Sequence, residues 1–360
     1  VEVFRIDAVP YIWKQLGTTC RNLPQVHTIV RMLRMVLECV CPAVILKGEV
    51  VMAPKELAAY FGTPEKPECH MLYNVSTMVN LWGALASRDT RLLKAQLDAL
   101  HALPGNCWFV NYLRCHDDIG WGLDYATLKQ EGIEERSHKK YLNDYFQGYT
   151  GESNSRGVLY NEDPVTGDAR FCGTTASMCG IEKAGFEKDK AAMKSAIQMD
   201  VMLHAYMFMQ SGIPVLYSGD EIGQVNDYSY KNDPDKVQDS RYIHRGAMHW
   251  DLAARADDPK TVEGQLFGQL DKLEKIRKKE KAFMTNADTW TVETWDNSIL
   301  CIGRYYDGDK IYGLFNFSEY DKTAWINERD GLYKDLITGQ EMEAAGVNIP
   351  AYGFYWLKKE

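Results

Sequence analysis

Three carboxylates follow strand-like runs at points where they could act together. Asp7 stands two residues after Arg5 in the run VEVFRIDAV, so the two side chains share one face of a strand. Glu49 follows AVILKG, and Asp117 follows CWFVNYLR with His116 beside it. Paired acids a few ångströms apart can cleave a glycosidic bond, because one protonates the leaving oxygen while the other attacks or activates water.

Each acid also has an ordinary structural interpretation. Arg5 and Asp7 could form a structural salt bridge. Glu49 could be a surface residue that opens a loop, and the acids after His116 could cap a following helix. Taken together these alternatives weaken, because strand-like segments deliver all three carboxylates to the same edge.

The elements that would position these acids alternate along residues 1–281. Strand-like runs that are apolar on both faces and separated by helical patterns predict a parallel sheet. Five such runs can be counted, at VEVFRIDAV, AVILKGEVV, HMLYNVST, CWFVNYL and IPVLYSG. One long helix is predicted through LWGALASRDTRLLKAQLDALH. Five strands are too few for a closed TIM (β/α)8 barrel, so we predict its second half, an α/β fold of about five β/α units.

Two insertions interrupt this catalytic part, and a different domain follows it. A polar, glycine-rich stretch at about 118–183 predicts an inserted subdomain, and a second long loop runs over about 220–259. Both follow strand ends, where barrel enzymes place their substrate loops. From 282 to 360 short strands alternate with turn residues, including a hairpin turn at YDGDK, which predicts a C-terminal antiparallel β-sandwich.

Composition excludes several classes of partner. The net charge is −9 and there is no basic run, so nucleic acid and anionic membranes are not expected partners. No apolar stretch reaches the roughly 18 residues of a membrane helix. The nine cysteines are irregularly spaced and many lie in apolar runs, which predicts free thiols in a reducing compartment, a bacterial-type cytoplasm. No zinc pattern or calcium loop is recognisable, so we expect neither a metal nor a cofactor.

Several runs resemble one enzyme family. FRIDAV, ILKGEV and NYLRCHDDIGW resemble short conserved regions of the α-amylase superfamily, glycoside hydrolase family 13. DPVTGDARFCGT, YSGDEIG, QDSRYIHR and FNFSEY are similar to the amylosucrase and sucrose hydrolase group, and the resemblance covers nearly all of the chain. It implies a retaining enzyme that cleaves sucrose and transfers glucose to water or to an α-glucan acceptor.

The resemblance also implies a role for each acid. Asp7 would be the nucleophile that forms a glucosyl-enzyme, and Arg5 would orient it. Glu49 would be the general acid/base, which protonates the leaving group and then deprotonates the acceptor. Asp117 would stabilise the transition state, with His116 as its partner in binding glucosyl hydroxyls.

Other matching positions lie on the acceptor side and in the last long loop. The resemblance implies that Asp118 and Arg170 contact sucrose or the growing glucan, and that Arg241 helps to close the glucosyl pocket. Three positions depart from the group: Lys139 replaces an arginine, Tyr141 a phenylalanine and Asn161 a glutamine. Lysine cannot reproduce the flat, bidentate fork of arginine, so transfer to water or a short acceptor is expected rather than polymer synthesis.

No run in this sequence resembles the family's first three barrel strands, and Val1 opens directly on a strand-like run. We therefore expect a partial pocket without the acid that pairs with Arg241. The chain should be inactive by itself, and should need an N-terminal segment or self-association through exposed barrel edges. The alternatives are another superfamily glucosidase, a sucrose phosphorylase, or a non-catalytic carbohydrate-binding fragment.

Overall fold

The structure, a computed structural model, describes residues 1–121, 124–326 and 331–359. Strands and helices alternate up to residue 279, and the described part of the chain is rich in β-strands after it. The predicted insertion and the predicted C-terminal domain include positions 122–123, 327–330 and 360, which lie outside the described residues. None of the described helices is long and apolar enough to cross a membrane.

The α-helices are α1 (Pro24–Val40), α2 (Pro54–Leu57), α3 (Val75–Ser87), α4 (Arg91–His101), α5 (Tyr125–Gln130), α6 (Glu135–Phe146), α7 (Thr175–Met178), α8 (Ile181–Glu187), α9 (Lys190–Met209), α10 (Trp250–Ala253) and α11 (Val262–Lys279). The strands are β1 (Val3–Ile6), β2 (Ile45–Gly48), β3 (Gly62–Thr63), β4 (Lys66–Pro67), β5 (Met71–Tyr73), β6 (Trp108–Asn111), β7 (Ile119–Gly120), β8 (Val158–Tyr160), β9 (Arg170–Cys172), β10 (Ile213–Pro214), β11 (Asp288–Val292), β12 (Ile299–Tyr306), β13 (Asp309–Asn316), β14 (Lys322–Trp325), β15 (Leu332–Asp335), β16 (Glu341–Glu343), β17 (Ala345–Ile349) and β18 (Phe354–Lys359).

The first sheet contains the five predicted strands in the order β1-β2-β5-β6-β10, and every pair in it is parallel. Parallel strands that are neighbours end at the same edge of a sheet, and open α/β sheets bind their ligands there. The predicted parallel α/β sheet is therefore observed. Its place in half of a TIM barrel stays a prediction.

Capping residues explain where three of the helices that cover this sheet begin. The side chain of Asn74 accepts a hydrogen bond from a backbone N–H in the first turn of α3, and that of Asp189 does the same for α9. Thr261 caps α11 in the same way. Such side chains satisfy N–H groups that have no partner inside the helix.

The predicted long helix through residues 81–101 is wrong, because the structure has two helices there. Between α3 and α4, Arg88 adopts a left-handed conformation with φ 56° and ψ 31°. Its guanidinium pairs with Glu152 at 2.8 Å and also with Glu319. A left-handed residue cannot continue a right-handed helix, and these distant acids hold it in place.

The main hydrophobic core lies around α9. Met202 and Tyr206 of this helix are fully buried, and they belong to one cluster with Phe315 of β13 and Trp356 of β18. Tyr206 meets the Phe315 ring edge-on at a centroid distance of 5.8 Å. One face of the six-stranded antiparallel sheet, β11-β12-β13-β18-β15-β16, therefore packs on the α/β part of the chain.

The opposite face of that sheet packs on a second core with β14 and β17, which form a two-stranded antiparallel sheet. The antiparallel sheets that the sequence predicts after residue 282 are therefore observed, whereas a separate domain that begins there stays a prediction. The YDGDK turn is confirmed, since Tyr306 pairs with Asp309 across a two-residue turn. Asp307 and Gly308 in this turn have φ of 47° and 87°, the signature of a type I′ hairpin.

The predicted insertion at 118–183 contains regular structure in its described part. It contributes α5 to α8 and a three-stranded antiparallel sheet in the order β7-β9-β8. The loop at 220–259 contains short 3-10 helices, one of them at Ser240–His244, and α10. Both segments follow the carboxyl ends of strands of the parallel sheet, so they lie where they can wall a site.

Candidate active site

Backbone contacts between the ends of β1 and β2 place Asp7 beside Glu49. The N–H of Glu49 donates to the carbonyl of Ile6 at 3.0 Å, and the N–H of Val9 donates to the carbonyl of Glu49 at 3.1 Å. Gly48 lets β2 lie close to the segment that leads into β5, because a Cβ there would lie 2.8 Å from the sulfur of Cys69. A larger residue at position 48 would therefore displace the strand that delivers Glu49.

One guanidinium joins the two acids. Arg5 donates from Nη1 to Asp7 Oδ1 at 2.7 Å, and its Nη2 lies 3.0 Å from Glu49 Oε2. The N–H of Ala8 donates to the same Glu49 oxygen at 2.9 Å, from a left-handed conformation with φ 42° and ψ 45°. The arginine also lies over the ring of Tyr73 at 5.7 Å. A non-glycine residue in this conformation is strained, and the strain aims a backbone donor at the carboxylate.

The two carboxylates differ in their exposure to solvent. The side chain of Asp7 is 77% exposed, whereas that of Glu49 is 22% exposed. The hydrogen bond from Arg5, followed by one with Glu49, holds the pKa of Asp7 below its usual range. Asp7 is therefore ionised and accessible, as a carboxylate nucleophile must be.

His116 and Asp117 bring a third acid to the cleft from the segment after β6. His116 Nε2 lies 3.2 Å from Asp117 Oδ2. The other oxygen, Oδ1, accepts from Arg241 Nη1 and Arg245 Nη2, each at 3.3 Å. Two guanidinium groups and an imidazole therefore fix the orientation of this carboxylate.

Arg241 is itself held in position by two other residues of the described chain, Asp239 and Tyr160. Its Nε and Nη2 donate to the carboxylate of Asp239 at 2.9 and 2.8 Å, and its guanidinium lies 4.8 Å from the ring centre of Tyr160. The sequence prediction placed the acid partner of Arg241 outside the chain. In the structure, Asp239 pairs with Arg241 from two residues away, and Asp117 is its second acid.

The inserted segment at 118–183 also contributes side chains to the site. Arg170 donates to Asp118 Oδ2 at 3.3 Å, and the Asp118 side chain is only 9% exposed. Burial raises the pKa of Asp118 despite the charge of Arg170. The amine of Lys139 lies 2.9 Å from Glu135 and 3.5 Å from Asp168, so this lysine is already neutralised by two acids.

All eight site residues that the sequence predicts line one cleft of about 1190 Å³. They are Arg5, Asp7, Glu49, His116, Asp117, Asp118, Arg170 and Arg241. Polar and aromatic groups also line this cleft, among them Tyr73, Tyr112, Trp121 and Tyr125. The structure thus brings the predicted residues together, while the role of each stays a prediction.

A buried layer behind the cleft holds the His116 segment. His244 Nδ1 accepts from the N–H of Gly173 at 3.1 Å, so its Nε2 carries the proton and donates to the carbonyl of His116 at 3.3 Å. Burial lowers the pKa of His244 to about 3, because a charged imidazole would lose its solvation. Below this layer Arg114 and Asp220 form a buried ion pair at 2.8 Å. Sequence reasoning missed His244 and Arg245, although both lie in the run QDSRYIHR that it singled out.

Known proteins are similar in sequence to nearly all of this chain. No family model matches the sequence. Among curated proteins, the chain is 23% identical over 359 residues to glucosylglycerate phosphorylase of Escherichia coli, covering 99% of this chain and 60% of that protein. It is 26% identical over 272 residues to trehalose synthase/amylase of Mycolicibacterium smegmatis, covering 74% of this chain and 38% of that protein. The chain therefore spans well under two thirds of the length of these relatives.

Solved structures share the fold. The sucrose 6F-phosphate phosphorylase of Thermoanaerobacter thermosaccharolyticum matches with a TM-score of 0.65 and 18% identity, over 95% of this chain and 60% of that one. The α-amylase of H. orenii matches with a TM-score of 0.58 and 14% identity, over all of this chain and 61% of that one. Relatives and neighbours together support the α-amylase superfamily, glycoside hydrolase family 13. The curated relatives are phosphorylases and trehalose synthases, which supports a glucosyl-transferring enzyme.

Proposed function

We propose that this chain carries the catalytic residues of a retaining α-glucosyl-transferring enzyme, with Asp7 as nucleophile and Glu49 as general acid/base. The observation that carries the proposal is the single guanidinium of Arg5, which contacts both carboxylates at 2.7 and 3.0 Å. Retaining glycosidases hold their two carboxyl groups about 5–5.5 Å apart, whereas inverting enzymes separate them by about 6.5–9.5 Å. Two acids that share one guanidinium fit the closer spacing.

The reaction then follows in two steps. Asp7 attacks the anomeric carbon as Glu49 gives its proton to the leaving oxygen, which produces a glucosyl ester on Asp7 and a free alcohol. Glu49, now a carboxylate, removes a proton from the acceptor, whose oxygen displaces Asp7 and restores the starting state. Each step inverts the anomeric centre, so the product retains its configuration.

Asp117 and His116 are proposed to hold glucosyl hydroxyls during these steps. Arg241 and Arg245 occupy one oxygen of Asp117, which leaves the oxygen on the His116 side directed toward the sugar. Hydrogen bonds that strengthen as the oxocarbenium ion forms contribute to rate rather than to ground-state binding.

We propose sucrose as the donor, with water or a short glucan as acceptor. Support comes from the resemblance of the motifs around the cleft, and from Lys139, which replaces an arginine and is already paired with two acids. Asp118 and Arg170 are proposed to contact the acceptor side.

A phosphorylase is the second candidate, because the relatives include glucosylglycerate phosphorylase and a structural neighbour is a sucrose 6F-phosphate phosphorylase. In that reaction inorganic phosphate would take the place of water and yield a glucosyl phosphate.

The test is one incubation of the full-length gene product with sucrose in phosphate buffer and a second in a buffer without phosphate. Glucose with fructose in both supports hydrolysis. Glucose 1-phosphate in the phosphate buffer alone supports the phosphorylase, and a long insoluble α-glucan as the main product contradicts the hydrolytic proposal.

The assignment of the two acids has a separate test. Glu49→Gln cannot protonate fructose, so sucrose cleavage should fall by about 10²- to 10⁴-fold. An α-glucosyl fluoride needs no proton on its leaving group, so it should still form the ester, and mass spectrometry of peptides should find one glucosyl group on Asp7. Asp7→Asn is the matched control and should carry no label. Equal losses on sucrose and on the fluoride would refute the role of Glu49.

We also propose that the parallel sheet is the second half of a (β/α)8 barrel. The structural neighbours are α-amylase-family barrels that the chain covers by about 60%, and the edge strand β1 exposes Val3 and Phe4 by 41% and 46%. The alternative of a non-catalytic carbohydrate-binding fragment predicts glucan binding without any labelling of Asp7.

A further inference from the structure

Three consecutive residues at the carboxyl end of β6 bring a thiol, an imidazole and a carboxylate together. One ligand atom from each of Cys115, His116 and Asp117 lies within 4.8 Å of the other two. The N–H of Asp117 donates to the sulfur of Cys115 at 3.4 Å. The backbone bends at positions 116 and 117, so side chains that would alternate along a strand converge on one point.

This set of donors suits a thiophilic cation. Zn²⁺ binds thiolate sulfur at about 2.3 Å, imidazole nitrogen at about 2.0–2.1 Å and carboxylate oxygen at about 2.0–2.2 Å, in a tetrahedron. Tetrahedral ligands at these bond lengths lie about 3.3–3.6 Å from one another, so the observed atoms need to close by about an ångström. Three protein ligands leave a fourth position, and because all three residues line the cleft, that position opens toward water.

We propose that Cys115, His116 and Asp117 form a binding site for a thiophilic divalent cation, with Zn²⁺ as the best fit, and that its occupation blocks the cleft. Binding converts the Cys115 thiol to a metal-bound thiolate and releases one proton to solvent, with no change of oxidation state. The cation would take the Asp117 oxygen that faces His116, which is the oxygen proposed to hold the glucosyl group. It would therefore act as an inhibitor that competes with substrate, and not as a cofactor.

Neighbouring charges set the strength of this site. Arg241 and Arg245 contact Oδ1 of Asp117 and oppose a cation. Asp7 and Glu49 line the same cleft and attract it, although their pairing with Arg5 offsets part of that attraction. Burial raises the pKa of the Cys115 thiol to about 11, so a proton competes with the metal.

The test uses Co²⁺, which occupies zinc sites and absorbs in the near ultraviolet when a thiolate binds it. Cys39 and Cys41 are exposed, so the full-length gene product is titrated as the C39S/C41S variant. We expect saturable binding of one Co²⁺ with a thiolate charge-transfer band, displaced by Zn²⁺. Cys115→Ser, which keeps an acceptor for the Asp117 N–H, should abolish the band. Cys20→Ser, which removes another partly exposed thiol, should retain it.

His116→Ala provides a second measurement and should weaken Co²⁺ binding at least tenfold. No band in the folded protein, or a band that survives Cys115→Ser, would overturn the site. Inhibition by Zn²⁺ rests on the proposed function, whereas the cobalt spectrum does not. A protein that binds Co²⁺ through Cys115 but cleaves no glucoside would refute the function and leave the metal site standing.

Discussion

Replacing Arg5 by lysine should separate a shared guanidinium from a simple positive charge. Lysine keeps the charge but has a single ammonium, which cannot contact both Asp7 and Glu49 as the fork of Arg5 does. The contact with Asp7 is screened, because that side chain is 77% exposed. The contact with Glu49 is better shielded from solvent, since both partners are less than a third exposed.

Loss of one charge-assisted hydrogen bond costs about 1.5–3 kcal/mol. At about 1.4 kcal/mol for each tenfold change, kcat/KM for sucrose should fall about 10- to 150-fold in Arg5→Lys. The pH profile should change as well. Arg5 holds the pKa of Asp7 below its usual range, so a weaker contact raises that pKa and moves the acid limb of kcat/KM to higher pH.

The assay is initial-rate fructose release by the full-length gene product across a range of pH. Arg21→Lys is the matched control, because Arg21 lines the same cleft but its guanidinium contacts the carbonyl of Val51; its kcat/KM should stay within about twofold, in line with the small effect of surface substitutions. A variant Arg5→Lys with wild-type kcat/KM and an unmoved acid limb would refute the idea that one guanidinium organises both acids.

Three further predictions concern pH, acceptor choice and the isolated chain. His244 has a pKa lowered to about 3 against about 6.5 when unfolded, so the unfolded state binds more protons and stability falls as pH falls below 6.5. Between pH 7 and pH 5 the free energy of unfolding should drop by about 2 kcal/mol more in the wild type than in His244→Gln. Glutamine can accept and donate at the same places but does not titrate. Equal losses of unfolding free energy in denaturant titrations would exclude His244 as the cause. Lys139→Arg should restore a bidentate fork beside Asp168 and raise the ratio of oligosaccharide to glucose severalfold, as measured by chromatography of the products. Lys140 pairs with Asp144, and Lys140→Arg is the control that should leave the ratio unchanged. Residues 1–360 expressed alone should bind maltooligosaccharides in calorimetry but release no fructose from sucrose, and measurable turnover would show that the described cleft is sufficient.

Much of the candidate site could be predicted because it depends on a rule of parallel sheets. Residues that follow neighbouring strands meet at one edge, so the positions of Asp7, Glu49 and Asp117 in the sequence were enough to bring them together. The register of β1 against β2 then places Arg5 within reach of both of the first two acids. These positions therefore follow from the order of the strands in the sheet.

The remaining features depend on contacts that no local pattern contains. Arg245 contacts Asp117 from 128 positions away in the chain. The nearby Arg241 was predicted only because the run QDSRYIHR resembles a family motif. Arg88 interrupts an apolar helical pattern because Glu152 and Glu319 hold it from elsewhere in the chain. Helical periodicity is the same on both sides of such a break, so the sequence predicted one helix instead of two.

Burial around the cleft is uneven, and this bears on what the described residues can do. Asp118 is 9% exposed and pairs with Arg170, which is itself 57% exposed, so the carboxylate is desolvated while its partner stays in contact with water. Asp7, in contrast, is 77% exposed, so water screens its ion pair with Arg5. Electrostatic stabilisation of an oxocarbenium ion needs a site from which water is excluded. The described residues therefore bring the proposed catalytic acids together, whereas water still reaches Asp7, the proposed nucleophile.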